Sequence, residues 1–317
     1  MKKDIKVVFM GTPDFAATSL KALIDAKINV VGCFTNPDRP AGRGMKIQVS
    51  PVKQVAIENN IPVYQPEKLK ENSEVQEKLR EFNPDIIAVV AYGKILPKEI
   101  LEFPRLGCIN VHGSLLPNYR GSAPIQWSII NGDKKTGITT MYMDEGMDTG
   151  DMLLKENVDI EDDDNFLTIH DKLKDIGARL LVSTLELISL DKIIGIKQPE
   201  KCSIAPMITK EMTKIDFNKN SRDIFNFVRG LSPFPGAYIT KEDGKIYKVY
   251  RVQAIYDESI ASEIENGSIL VLAKDKLYIK CADGYVKILE IQPPNSKRMD
   301  IASFLTGNRF SIAEKFI

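Results

Sequence analysis

Short apolar runs rich in β-branched residues recur through the first half of this chain, each followed by an amphipathic stretch. The runs are IKVVFMG (5–11), VVGCFTN (30–36), IPVYQ (61–65), DIIAVVAYG (85–93) and GCINVHG (107–113). Between them, Asp14 to Ala26, Val52 to Asn59 and Lys68 to Phe82 carry apolar positions at helical spacing. A strand that is apolar throughout must be covered on both faces, and strands separated by helices pair in parallel. The pattern predicts an α/β unit built on a Rossmann-like, doubly wound, mostly parallel sheet. Ligands of such sheets bind beyond the carboxyl ends of the strands.

Further along, the spacing predicts a helix from about Pro124 to Ile130 and a strand over TGITTMYM (136–143). The loop DEGMDTGD (144–151) then lets MLLKENVDI (152–160) return as a hairpin. A long amphipathic helix follows, Asn165 to Leu190, and the acidic EDDD run before it suits the positive end of a helix dipole. Residues 191–209 have no clear period and read as a linker. From Gly236 onward short alternating strands are separated by the turn signals EDG, ENG and ADG. They predict a small β-barrel or meander, expected here as a smaller, OB-like C-terminal β-barrel. At 317 residues the chain exceeds the roughly 250–300 at which single cores tend to split. The expected division is a catalytic domain over 1–190, a linker over 191–209 and a barrel domain over 210–317.

Several function classes are excluded or disfavoured early. The turn after the first strand, GTPDFA, lacks the later glycines that a dinucleotide pyrophosphate needs. No GxxxxGK[ST] loop, HExxH or GxSxG occurs. Two histidines and four scattered cysteines without a CxxC pair argue against a zinc site, and DEGMDTGD does not fit the calcium-loop template. Such cysteines are those of reduced thiols in a cytosol. The N-terminus offers only a four-residue apolar run, and no stretch approaches the ~20 residues that span a bilayer. A soluble, cytoplasmic protein is expected. Net charge is zero, but residues 206–317 hold 17 Lys or Arg against 14 Asp or Glu, a mild bias compatible with a polyanionic partner.

What remains for chemistry lies in GCINVHGSLLPNYRG (107–121). Asn110 and His112 end an apolar strand, and residues two apart on a strand point to the same side. The pair is expected to converge on one pocket. The plain alternative is a histidine that merely satisfies a buried strand end, but the apolar turn GSLLP has little reason to follow unless it walls a ligand. His170, at helical spacing in FLTIHDKLKDIG, is expected on a helix surface without a chemical role. Among Asp144, Glu145, Asp148 and Asp151, Asp148 stands out because nearby glycines let its loop approach a site closely.

GTPDFA, TNPDRPAGRG (35–44), SPVK (50–53), AYGKILP (91–97), GCINVHGSLLPNYRGSAPIQW (107–127) and MDEGMDTGDML (143–153) occur in order along the chain. Over nearly its full length the sequence resembles the methionyl-tRNA formyltransferase branch of the folate-dependent formyltransferases. SLLPxYRG and DxGxDTGD are common to that wider family, whereas PDRPAGRG and the C-terminal barrel are specific to the tRNA branch. One departure is Phe234 in SPFPGA, where Trp is expected.

The resemblance implies formyl transfer from 10-formyltetrahydrofolate to the α-amino group of methionyl initiator tRNA, for translation initiation. Attack on the formyl carbonyl builds charge on its oxygen, and preorganised donors there contribute a few kcal/mol each. Asn110 and the imidazolium of His112 are assigned as those donors. A free imidazole titrates near ~6.5, so a carboxylate is needed to favour the charged ring, and Asp148 is the candidate, also for relaying the amine proton. No covalent intermediate is needed. Ser114, Leu115, Leu116 and Pro117, with Tyr92, Ile95 and Leu96, are implied as the folate pocket.

Arg39, Arg43 and Lys46, in a segment too Gly/Pro-rich to fold as a regular element, are implied to meet the tRNA. Lys53 belongs to the same basic set. Some of Lys241, Lys245, Lys248 and Arg251 are expected to touch its backbone. Phe15 packs either against the methionyl side chain or in the core. A metal is not expected, nor a membrane partner, and the chain is expected to act as a monomer. Rival readings are a formyltransferase acting on a nucleotide or nucleotide sugar, a catalytically inert tRNA-binding protein and, third, a nicotinamide oxidoreductase.

Overall fold

The first apolar run forms β1 (Lys6–Gly11) and turns directly into α1 (Asp14–Asp25). Gly11 is required at that turn, because a Cβ there would lie 2.6 Å from Ala16 Cβ and 2.7 Å from the Val90 carbonyl oxygen. The structure, a computed structural model, describes residues 4–41, 46–241, 243–257, 259, 263–273, 275–307 and 314–316. After β2 (Asn29–Phe34) come β3 (Arg39–Ala41) and β4 (Lys46–Gln48), a two-stranded antiparallel ribbon. The expectation of no regular element there is corrected. A two-stranded ribbon has two open edges, so Pro40, which lacks an N–H, does not interrupt it.

α2 (Pro51–Glu58) begins with Pro51 behind a Ser50 cap, whose side chain accepts from Lys53 N at 3.1 Å. β5 (Val63–Tyr64) leads to α3 (Ser73–Phe82), which starts five residues later than expected. The Asn72 side chain caps it, accepting from the N–H groups of Glu74 and Val75. The chain continues through β6 (Ile86–Val90), α4 (Lys98–Leu101), β7 (Cys108–His112), α5 (Pro124–Ile130), β8 (Lys135–Tyr142), β9 (Met152–Asp159) and α6 (Phe166–Ser189).

These strands form one seven-stranded sheet in the order β5-β2-β1-β6-β7-β8-β9. β1 pairs in parallel with β2 on one side and β6 on the other, β6 pairs in parallel with β7, and β8 runs antiparallel to β7. The chain therefore winds outward from β1 in one direction and then in the other. That reversal opens a crevice at the carboxyl ends of β1 and β6. Asn36 ties the strand ends together, its Nδ2 donating to Tyr92 O at 2.9 Å and to Thr12 Oγ1 at 3.0 Å. Beneath, Val8, Met10, Phe34, Leu79, Ile87 and Tyr92 pack in one buried cluster. Burial of each large apolar side chain contributes about 1.5–3 kcal/mol.

Contacts gather the chain into two units. One comprises residues 1–121, 136–158 and 170–204, and the other 122–135, 159–169 and 205–317. In the second unit α5 packs on α7 (Ser221–Gly230), where a Cβ on Gly230 would lie 2.8 Å from Ile130 Cγ1, so the helices meet closely. Its antiparallel sheet has the order β10-β11-β14-β13-β12, from β10 (Ala237–Thr240), β11 (Ile246–Tyr256), β12 (Ile269–Ala273), β13 (Lys276–Cys281) and β14 (Gly284–Gln292), with β15 (Met299–Asp300) beside β14 and α8 (Ile301–Gly307) after it. The C-terminal segment bridges Lys241 to Phe316 and Ser268 to Lys315. It thus touches both sheet edges and closes them into a barrel around Val249, Ile279, Ile288 and Phe304. Among the described residues no helix is long and apolar enough to cross a membrane.

Candidate active site

β7 is buried along both faces, with Asn110 its one half-buried residue. Asn110 sits between Val89 of β6 and Met141 of β8, and His112 lies opposite Thr139. Alternation puts Asn110 and His112 on the same side of the strand. The Asn110 carboxamide makes no hydrogen bond among the described residues, which leaves both its donors for a ligand.

His112 is 5% exposed, and both ring nitrogens have neighbours. Nε2 lies 2.9 Å from the Tyr119 carbonyl oxygen. A carbonyl only accepts, so Nε2 carries a proton and donates it. Nδ1 faces Asp148 Oδ2 at 3.6 Å, beyond hydrogen-bond length but within ion-pair range. That same Oδ2 accepts from Gly121 N at 2.8 Å. Asp148 adopts φ +55°, the left-handed region, which costs a non-glycine residue on the order of 1 kcal/mol. The loop around it is tight: a Cβ on Gly150 would lie 1.9 Å from Tyr142 O.

The turn after His112 is stapled to β8. Thr139 Oγ1 donates to Ser114 O at 2.7 Å and accepts from Leu116 N at 3.1 Å, and the Lys155 ammonium donates to Leu116 O. The Ser114 hydroxyl is consumed within the turn, donating to Asn118 O at 2.6 Å. Ser114 and Leu116 are buried, and Leu115 and Pro117 half-buried. Leu116 packs with Met141 and Met152 in a small cluster beside the strand end. Tyr92 is 1% exposed, and its hydroxyl is buried without a hydrogen-bond partner among the described residues. Burial raises the pKa of that phenol. Leu96 is buried, whereas Ile95 is 90% exposed, so these two neighbours face opposite ways.

The basic set lies elsewhere. Arg39, on β3, is exposed and pairs with Glu67 at 3.7 Å. Lys46 lies on β4, and Arg43 falls outside the described residues. Lys53 is held at the base of the ribbon, 2.5 Å from Asp38 Oδ2 and 2.7 Å from Gln65 Oε1. In the barrel unit Lys241 pairs with Glu314 at 3.0 Å, Lys245 with Asp243 at 2.9 Å and Arg251 with Glu290 at 3.7 Å. Lys248 donates to Pro235 O at 2.8 Å, and Phe234 is exposed.

Phe15 is buried and meets His170 edge-on at 5.4 Å. His170 lies on α6 and is half-buried, with one side against that ring. It groups with Asp14 and Asp171 at distances a metal could bridge, but the Lys174 ammonium already lies 3.5 Å from Asp14 and 3.1 Å from Asp171.

Sequence reasoning missed Thr139, Lys155 and Gln198. Gln198 Nε2 donates to the carbonyls of Asp148 and Gly150, both at 2.8 Å. Each acts on a backbone group far away in sequence, and only the TGITT hydroxyls next to an apolar strand gave any hint.

At one strand end of the doubly wound sheet stand a carboxamide that makes no hydrogen bond among the described residues and an imidazole 3.6 Å from a carboxylate. The chain belongs to the formyl transferase family: a family model described as formyl transferase matches residues 5–185, and one described as formyl transferase, C-terminal domain, matches residues 207–309. The methionyl-tRNA formyltransferase of Caldanaerobacter subterraneus subsp. tengcongensis is 50% identical over 305 residues, covering 96% of this chain and 97% of the relative. That of Clostridioides difficile is 49% identical over 305 residues, with the same coverage. Among solved structures, an N-formyltransferase from Helicobacter canadensis in complex with folinic acid and dTDP-3-aminofucose aligns with TM-score 0.64 at 18% identity, over 93% of this chain and all of that one. HypX from Aquifex aeolicus in complex with tetrahydrofolic acid aligns with TM-score 0.61 at 17% identity, over 95% of this chain and 47% of that chain.

Proposed function

We propose that this chain transfers the formyl group of 10-formyltetrahydrofolate to the α-amino group of methionine on charged initiator tRNA. The near-full-length likeness to relatives named for that activity carries this conclusion, and the arrangement at the end of β7 supplies chemistry for it. The methionyl amine attacks the formyl carbon, a C–N bond to the amine forms, and the C–N bond to the folate nitrogen breaks. Negative charge grows on the formyl oxygen in between. The Asn110 carboxamide, which makes no hydrogen bond among the described residues, donates to that oxygen. With Nε2 committed to Tyr119, Nδ1–H of the imidazolium is the donor left on His112, and the Asp148 carboxylate 3.6 Å away balances its charge. Asp148 also takes the proton lost by the amine and passes it, through water, to the leaving folate nitrogen.

Tyr92, Leu96 and the turn Ser114–Pro117 would wall the folate, with backbone groups matching its hydrogen-bonding edge. Ile95, out in solvent, would close over it only from outside. Arg39, Arg43 and Lys46 would meet the acceptor end of the tRNA, through contacts that weaken as salt rises. Residues 1–190 would serve as the catalytic domain, 191–209 as a linker and 210–317 as the tRNA-binding domain, in a monomer working in the cytoplasm.

The test is direct. Incubated with 10-formyltetrahydrofolate and methionine-charged tRNA, the protein should yield formylmethionine on the initiator and far less on the elongator species. Formylation of a nucleotide-linked amino sugar with neither tRNA reacting would overturn the assignment.

A further inference from the structure

Residues 195–204, within the stretch expected to be a plain linker, are fastened to both loops that hold the His112–Asp148 pair. Ile196 and Met152 exchange two backbone hydrogen bonds of 2.8 Å, which attaches the segment beside β9. Two residues on, the Gln198 side chain spans a gap between loops. Its Nε2 donates to Asp148 O and Gly150 O, and its Oε1 accepts from Arg120 Nε at 2.9 Å. Further along, Ser203 Oγ accepts from Tyr119 N and Ser203 O accepts from Arg120 N, both at 2.9 Å.

Apart from the Ile196–Met152 pair, each fastening lies on, or within two residues of, a residue that orients the pair. Tyr119 supplies the carbonyl that fixes His112 Nε2, and Gly121 supplies the N–H that fixes Asp148 Oδ2. On the other side, Gln198 bonds the carbonyl of Asp148 itself, at a residue whose φ of +55° is unfavourable without such support. All three polar groups of the carboxamide are used, two N–H donors and one oxygen. Glutamate cannot donate to the two carbonyls, and methionine fills the volume with no strong donor.

From this geometry we infer that Gln198, with Ser203 behind it, is a positioning residue for formyl transfer, acting through Asp148 and the Tyr119–Gly121 turn rather than on substrate. The inference rests on the catalytic role given above to His112 and Asp148. A misplacement of about 1 Å in such a pair lowers rates by about a hundredfold.

The experiment uses the full-length protein and compares wild type, Gln198→Met, Ser203→Ala, Asp148→Asn and the Gln198→Met/Asp148→Asn double variant. Single-turnover formylation of charged initiator tRNA, steady-state KM values for tRNA and folate, and pH–rate profiles are measured. Gln198→Met should lower the single-turnover rate by about tenfold to a hundredfold with both KM values within about twofold. It should also displace the pH–rate profile, which a general loosening of the fold would leave in place. In the Asp148→Asn background the same change should cost clearly less than in the wild type, because one of the two groups it positions is already gone.

Loss in the double variant equal to the product of the single losses would overturn the inference, as would a raised tRNA KM with kcat unchanged. If Asp148→Asn runs at the wild-type rate, the catalytic assignment itself falls, and this inference with it. Should Gln198→Met melt below the assay temperature, Ser203→Ala, which removes one hydroxyl, carries the same cycle with a smaller loss.

Discussion

His112 and Asp148 are held by backbone groups rather than by each other. Nδ1 and Oδ2 stand 3.6 Å apart, while Tyr119 O fixes the ring at 2.9 Å and Gly121 N fixes the carboxylate at 2.8 Å. Both backbone groups belong to the single turn Asn118–Gly121. The turn therefore sets the spacing of the pair, and in the proposed reaction a pair so held needs little reorganisation as charge develops.

Replacing Asp148 by Asn keeps an oxygen for Gly121 N but removes the charge and the proposed proton acceptor. Single-turnover formylation should fall by roughly 10²–10⁴-fold, with folate affinity within about threefold. A rate within a factor of three of wild type would show that the carboxylate is a loop strut only.

The hydroxyl of Thr139 joins the apolar turn to β8 through two hydrogen bonds, one to Ser114 O and one from Leu116 N. Thr139→Val keeps the shape and leaves a buried N–H and C=O without partners. Urea denaturation should show a loss of about 1–3 kcal/mol. Folate binding should weaken too, since the turn walls the proposed pocket. Unchanged stability would mean that other groups satisfy the turn.

Much of this was legible in the sequence, for reasons particular residues make plain. The parallel sheet follows from runs such as IKVVFMG and DIIAVVAYG, which cannot be exposed on either face. Asn110 and His112 stood out because two polar side chains at strand spacing close an apolar run, and Asp148 because glycines flank its loop. Gln198 and Ser203 were not legible. Apart from the Arg120 side chain, their partners are backbone carbonyls and amides 48 to 84 residues away, and a backbone group leaves no mark in a sequence. The β3–β4 ribbon was hidden by its prolines and glycines, and the late start of α3 by propensity alone, which cannot see that Asn72 caps it. Lys53 looked like one of a basic set, but charge count does not reveal that Asp38 and Gln65 hold it.

That last contact has a pH signature. Hydrogen bonds from Lys53 and Gln65 hold the Asp38 carboxyl below its usual range. A depressed carboxylate stabilises the fold above its unfolded pKa near ~3.9 and loses that contribution as pH falls through the lower folded value. Lys53→Met should therefore lower the melting temperature at pH 7 at least as much as at pH 4, with the two proteins converging at still lower pH, and should shift acid unfolding, followed by circular dichroism, to higher pH. Superimposable acid transitions would contradict the pairing.

The cysteines should divide sharply by reactivity. Burial pushes the Cys33 and Cys108 thiols up to about 12 and, with Asp283 adding to it, Cys281 up to about 11, while Cys202 is half-exposed. Iodoacetamide at pH 8 followed by peptide mass spectrometry should label Cys202 first and the other three only after unfolding. A raised thiol pKa also means that stability present below the unfolded value of ~8.5 is lost as pH climbs toward 12. Early labelling of Cys108 would show that the floor of β7 opens.

Asn110 offers the most direct measurement, because its carboxamide makes no hydrogen bond among the described residues. Asn110→Asp exchanges a hydrogen-bond donor for a negative charge at nearly constant shape. Single-turnover transfer from 10-formyltetrahydrofolate to charged initiator tRNA should drop by about 10²–10³-fold or more, with the melting temperature unchanged. Transfer at close to the wild-type rate would mean that the formyl oxygen is stabilised somewhere other than the end of β7.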